Sequence, residues 1–174
     1  MKTLNIVLLL IVSSCSFSLS PKATVLTPQE FDKIEIDGVP IIDIKQTFGN
    51  QKKLKALLGD YLSSKIDPVG DFYEYQFEGL EIGFSSIISD ATHEKPILSG
   101  MEISSGRISL SIKGCRIEVG KSIDQITFPY NFNTNIDRTQ SILIMPCDGC
   151  NNFLSIDFDE KTKLITRITY IEMT

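Results

Sequence analysis

Phe72-Tyr73-Glu74-Tyr75-Gln76-Phe77-Glu78-Gly79-Leu80-Glu81-Ile82-Gly83-Phe84 changes character every second residue. Alternation of this kind belongs to a strand with one face against a core. Glu78-Gly79 sits between the two alternating runs, where a two-residue turn would reverse the chain. The stretch therefore predicts a β-hairpin and, with it, an antiparallel sheet. The aromatics Phe72, Tyr73, Tyr75 and Phe77 divide between the two faces of the first strand. Tyr73 and Tyr75 share a face, which is either packed under a helix or an exposed binding platform.

Reading toward the C-terminus, Ser89 to Lys95 is polar and predicts a loop. Ile97–Ser104 and Arg107–Ile112 predict a second strand pair around Ser105-Gly106. Cys115–Val119 predicts a strand ending at Gly120. Ser122 to Phe128 predicts a short helix with Ser122 as N-cap, stopped by Pro129. Ser141–Met145, Phe153–Phe158 and Leu164–Ile171 predict three more strands, the last two joined by Asp159–Lys163.

Reading toward the N-terminus, Leu54, Leu57, Leu58, Tyr61 and Leu62 recur at helical spacing with lysines opposite. They predict a helix over Gln51–Ser64 that covers the sheet and buries its leucines. On that reading Leu58→Ala costs roughly 2–5 kcal/mol. Ile41 to Phe48 predicts a short helix stopped by Gly49, and Ile34–Gly38 a short strand. The fold class expected is α+β, with short helices packed on an antiparallel sheet.

The 174 residues are 42% hydrophobic and 22% charged, a globular composition. Net charge is −5 with no basic stripe, so nucleic acid is not an expected partner. Lys2, then the apolar run Leu4 to Val12, then Ser13, Ser14 and Cys15 form a signal-peptide layout too short to span a bilayer. Val12-Ser13-Ser14-Cys15 resembles the bacterial lipobox, in which cleavage precedes a cysteine whose thiol carries a diacylglycerol. That resemblance implies residues 1–14 as signal peptide, Cys15 as the lipidated residue, and residues 15–30 as anchor and tether. It places the protein in the bacterial envelope, at the outer membrane, held by its acyl chains.

Ile34-Glu35-Ile36-Asp37-Gly38 with a helical stretch to Phe48 is echoed by Ile117-Glu118-Val119-Gly120 with a helical stretch to Phe128. The echo divides the folded part into α+β units over 31–112 and 113–174, which are two tandem helix-plus-meander repeats or one domain. Ile117–Ser122 with Phe128, and the closing pair Phe153–Phe158 and Leu164–Ile171, resemble the β-lactamase-inhibitor-protein-like fold and the SmpA/OmlA-related outer-membrane assembly lipoproteins. The first copy lacks the Gly-x-Ser step. The resemblance implies a protein-binding module and no catalytic residue.

The residues themselves are poor in catalytic groups. His93 is the only histidine and lies in a polar stretch. Neither a nucleophile elbow nor a phosphate-binding glycine loop occurs, and no metal site or cofactor is expected. Acids such as Glu74, Glu78, Glu81 and Asp157 are scattered through strands, which keeps carbohydrate binding or processing open as an alternative. Cys147-Asp148-Gly149-Cys150 has redox spacing. Asp148-Gly149, however, reads as a hairpin turn, with no helix N-terminus to stabilise a thiolate. The pair fits the flanks of a two-residue hairpin turn, so a disulfide between Cys147 and Cys150 is expected there, strained and easily reduced. Pairing of either with Cys115 is the alternative. The functional expectation is a non-enzymatic envelope lipoprotein that binds another envelope protein, with an envelope thiol/disulfide protein as the alternative.

Overall fold

The computed structural model describes residues 22–66, 72–86, 95–134 and 139–172. The chain opens with β1 (Ala23–Val25) and α1 (Pro28–Phe31), then the small hairpin β2 (Glu35–Ile36) and β3 (Val39–Pro40). Helices α2 (Ile41–Lys45) and α3 (Gln51–Leu58) follow, then a meander of β4 (Ser63–Ile66), β5 (Phe72–Phe77), β6 (Leu80–Ser85) and β7 (Ile97–Ile103). A second small hairpin joins β8 (Ser109–Ile112) to β9 (Cys115–Glu118), and a 3-10 turn spans Ile123–Gln125. The chain closes with β10 (Asn133–Thr134), β11 (Thr139–Met145), β12 (Phe153–Asp159) and β13 (Ile165–Ile171). The protein is α+β, with short helices on a mostly antiparallel sheet.

The hairpin β5–β6 pairs Phe77 with Leu80 across Glu78-Gly79. From it the large sheet grows in the order β4, β5, β6, β7, β13, β12, β11, β1, with β10 also on β11. The two meanders meet edge to edge at β7 and β13. Only β1 runs parallel to its neighbour. A four-stranded sheet, in the order β3, β2, β8, β9, and the helices cover one face of the large sheet. One continuous core of Ile, Leu, Phe and Tyr lies between them.

The expected boundary between residues 112 and 113 falls in the two-residue turn of the β8–β9 hairpin, where Lys113 and Gly114 both take positive φ. Strands from both halves build both sheets, so the halves are not separately packed.

The expected hairpin around Ser105-Gly106 does not form. β7 stays in the large sheet while β8 pairs with β9 and β2 in the small one. Ser104 N–H donates to the Gly79 carbonyl at 3.1 Å, and the chain then crosses between layers. A Cβ on Gly106 would stand 2.6 Å from the Val119 carbonyl oxygen, so glycine permits the crossing rather than a sheet turn.

The expected helix over Gln51–Ser64 is shorter. Asn50 caps it through the Lys53 N–H, and Gly59, at φ 84°, ends it at Leu58. Leu54 is fully buried, Leu58 only partly, and Leu62 is 72% exposed beside the edge strand β4. Of the leucines expected to be buried, Leu54 alone is fully so, and Leu57 is exposed like Leu62. Leu54→Ala should cost near the lower end of about 2–5 kcal/mol in urea denaturation, whereas Leu62→Ala should leave the curve in place.

The expected tether over 15–30 is partly folded. Ala23, Thr24 and Val25 pair with Leu143, Ile144 and Met145, and Leu26 is buried. Thr27 and Glu30 form a capping box at α1. The Thr27 backbone N–H, then Lys113, hold the Glu30 carboxyl down at about 2. Cys15 and the signal-peptide residues lie outside the described residues.

Candidate functional site

The helices and the small sheet meet the large sheet on the side of Tyr75, Ile82, Phe84, Leu98, Ile156 and Tyr170. Its other side carries the alternate residues of each strand. Strand register aligns these into rows. One row runs Leu143, Ser155, Thr169, Glu102, Glu81, Gln76. The next runs Phe153, Ile171, Gly100, Gly83, Glu74. The two glycines stand opposite each other in β6 and β7, so this row loses its side chains at the middle of the sheet.

The result is a shallow trough of about 210 Å³, floored by Gly83 and Gly100 and walled by Phe72, Glu74, Glu81, Ser99, Glu102 and Thr169. A Cβ at Gly83 would lie 3.1 Å from Ser99 Oγ and 3.2 Å from the Phe72 ring. A Cβ at Gly100 would lie 3.1 Å from the Tyr170 carbonyl. Phe72 thus lies over Gly83, as an aromatic does beside a glycine in a strand. Interior strand glycine signals close backbone approach, and that signal was present at both positions. What the sequence could not show is that Gly83 and Gly100 pair.

Glu81 and Glu102 stand directly opposite each other, an arrangement that destabilises a strand pair. Neither has a cationic partner among the described residues. Three other acids noted in the sequence are engaged: Glu74 with Lys65 at 3.3 Å, Glu78 with Arg107, and Asp157 with Arg167 at 2.9 Å and with Ser155 Oγ at 2.8 Å. Among the described residues no group of three or more His, Cys, Asp and Glu is arranged to hold a metal ion. No described helix is long and apolar enough to cross a membrane. His93 lies outside the described residues.

Tyr73 and Tyr75 do share a face, but it is the packed one, and the exposed platform is corrected. Tyr75 is 1% exposed, donates its hydroxyl to the Gly49 carbonyl at 2.7 Å, and meets Tyr61 and Phe84 edge-on. Tyr73 packs partly buried against the same core. Phe72, on the opposite face, is the exposed aromatic of this strand.

Cys147 and Cys150 are disulfide-bonded with Cα atoms 5.4 Å apart, and Cys115 is a buried free thiol donating to the Gln125 carbonyl at 3.3 Å. The turn is not a tight hairpin, because β11 ends at Met145 and β12 starts at Phe153. The disulfide instead closes a small turn within the wider loop, with Cys147 exposed. The expectation of strain rested on the tight hairpin and has no basis in this loop. The ring closed by the bond is short, so its loop-entropy contribution is small. Changing both Cys147 and Cys150 to serine should therefore leave the thermal transition nearly unmoved.

At the far end of β13, Tyr170 is buried and donates to Glu172 at 2.6 Å, while Lys45 of α2 reaches the same carboxylate at 2.7 Å. Burial first, then Glu172, push the Tyr170 hydroxyl far above the ordinary tyrosine range. The folded state therefore holds this proton where the unfolded chain releases it. Stability from this group is complete below about pH 10 and falls as pH rises beyond it. Tyr170→Phe should flatten that alkaline decline in urea titrations.

Comparison with protein-family models, with curated proteins and with solved structures found no match.

Proposed function

We propose that the protein is a non-enzymatic lipoprotein of the bacterial envelope, lipid-anchored through Cys15, that holds another envelope protein on the uncovered face of its large sheet. The observation that carries this reading is the glycine-floored trough beside the opposed pair Glu81 and Glu102. A partner segment with a small apolar side chain fits the trough, and its lysine or arginine would relieve the carboxylate pair. The lipobox-like Val12–Cys15 segment and the resemblance to SmpA/OmlA-related lipoproteins support the same assignment.

Site-specific photocrosslinking in native membranes tests it. A photoreactive residue at Gln76 or Thr169, on the uncovered face, should give one discrete crosslinked product that Glu81→Lys with Glu102→Lys removes. A probe at Lys52, on α3, should not give that product. Equal crosslinking from both positions would end the assignment of this face.

A second reading, thiol–disulfide exchange, is favoured by one observation, the exposure of the disulfide at Cys147. A thiolate of a dithiol partner would attack the Cys147 sulfur. The Cys147–Cys150 bond would break and Cys150 would leave as thiolate. The partner's second thiol would then displace Cys147 and carry away the disulfide. Oxidised protein that stays oxidised when mixed with a reduced dithiol protein under catalytic conditions removes this reading.

A further inference from the structure

The described chain begins at Lys22, on an outer edge of the large sheet. Lys22 N–H donates to Asn133 Oδ1 at 2.9 Å, and Asn133 Nδ2 returns a bond to the Lys22 carbonyl at 3.2 Å. β1 pairs with Leu143 to Met145 and β10 with Gln140 and Ser141, so Lys22 and Asn133 meet on the same edge of β11. Thr139, the first residue of that strand, pairs with Asp159 at the β12–β13 turn. Lys22 therefore lies beside Asn133, the neighbour of Phe132, near this end of the sheet.

That end carries large apolar side chains left in solvent. Phe132, beside Asn133, is 54% exposed, and Leu164, in the β12–β13 turn, is 42% exposed. Contacts link Phe132 to Lys163, the chain neighbour of Leu164. Phe132 meets the Phe158 ring edge-on at 6.4 Å, and Lys163 Nζ lies 5.7 Å from the centre of the same ring. Ile123 N–H donates to the Lys163 carbonyl at 2.8 Å, and Ile165 N–H to the Lys121 carbonyl at 2.9 Å, which brings Lys121 alongside. Lys22, Lys121, Lys161 and Lys163 are all exposed. Of the acids there, Asp159 is occupied by the Lys161 and Thr162 N–H groups, and Glu160 and Asp124 remain on the surface.

We propose that this end of the sheet, formed by Phe132, Leu164 and the lysines Lys22, Lys121, Lys161 and Lys163, is a membrane-docking surface for anionic lipid headgroups. Its position beside Lys22, seven residues after Cys15, singles out the membrane as the occupant. Cys15 stands seven residues before Lys22. Even a fully extended link of that length reaches only about 25 Å. A domain held so short must rest close to the lipid, and Lys22, where the link joins the described fold, lies at this end. Exposed aromatic and aliphatic side chains then enter the interfacial region, while lysine stems lie along it with their ammonium groups at the phosphates. The Glu81–Glu102 face runs along the side of the sheet and stays open to a partner. The inference rests on the reading of Cys15 as lipidated.

The chain contains no Trp, so a single introduced indole reports its own surroundings. A chain starting at Cys15 keeps every described element. Cys115 is buried and Cys147 and Cys150 are bonded to each other, so Cys15 supplies the reactive thiol for coupling to a maleimide lipid. Vesicles of phosphatidylethanolamine and phosphatidylglycerol with brominated acyl chains then quench only indoles at the membrane. Phe132→Trp and Leu164→Trp should be quenched several-fold more than Gln76→Trp on the open face. Lys121→Glu with Lys163→Glu, or vesicles without phosphatidylglycerol, should reduce that quenching. Equal or absent quenching of all three reporters would overturn the docking surface. Coupling supplies the anchor chemically, so this result is independent of whether cells acylate Cys15. Fatty-acid labelling of cells tests that separately, and its failure alone would count against the lipoprotein reading.

Discussion

Replacing Tyr75 with alanine is expected to destabilise the protein by about 3–5 kcal/mol, the range for removing a large buried ring. Tyr75 is among the largest fully buried side chains and touches rings on both sides, Tyr61 at 5.5 Å and Phe84 at 6.3 Å between centroids. Its hydroxyl fastens β5 to Gly49, the residue at which the chain turns from α2 into α3. Tyr75→Phe should therefore cost only about 0.5–1.5 kcal/mol, the net worth of one hydrogen bond. The ratio of the two losses, read from urea midpoints at constant slope, separates packing from the polar anchor. A Tyr75→Ala variant as stable as the parent would return this residue to the surface. The contrasting substitution is Phe72→Ala, which should cost far less because the residue is 40% exposed.

Cys15→Ser is expected to abolish incorporation of a clickable fatty acid and to release the protein from the membrane fraction. The effect is all-or-none because serine offers no thiol for the thioether to diacylglycerol. Acyl chains contribute about 0.8 kcal/mol per buried CH₂, so their loss removes the dominant membrane term. The docking surface around Phe132 and Leu164 is too small to replace them and should retain only weak, salt-sensitive association. Cys115→Ser is the matched control, since that thiol is buried and should keep full label. Equal label on the Cys15→Ser and parent chains sinks the anchor assignment.

The β5–β6 hairpin was legible because both of its periods are local: alternation within each strand and a two-residue turn between them. The closing strands β11 to β13 were legible from alternation alone, since their connections are longer than two residues. Ser105-Gly106 carries the same kind of turn signal, yet it marks a crossing between sheets. Turn chemistry says that the chain bends, and only the packing of Gly106 against Val119 decides where it goes. Helix α3 was overextended because Tyr61 and Leu62 continue the apolar spacing past Gly59. Gly59 costs little inside an exposed helix, on the order of 1 kcal/mol, so its power to end α3 comes from β4 pairing with β5 immediately afterward. Ala23–Val25 was read as tether because three residues carry no periodic signal. Their partner, β11, lies more than a hundred residues away.

The sequence by itself determined the fold class and the strand-rich architecture, because periodicity and glycine placement act over a few residues. Tertiary structure alone decided which strands became neighbours, and so which residues became a site. Gly83 and Gly100, and Glu81 and Glu102, come together only when β6 pairs with β7 in one register. A slip of one residue would send each of them to the opposite face. Tyr73 and Tyr75 alternate identically whether their face meets a core or water. The helices and the small sheet settled that by covering one side of the large sheet and leaving the other uncovered.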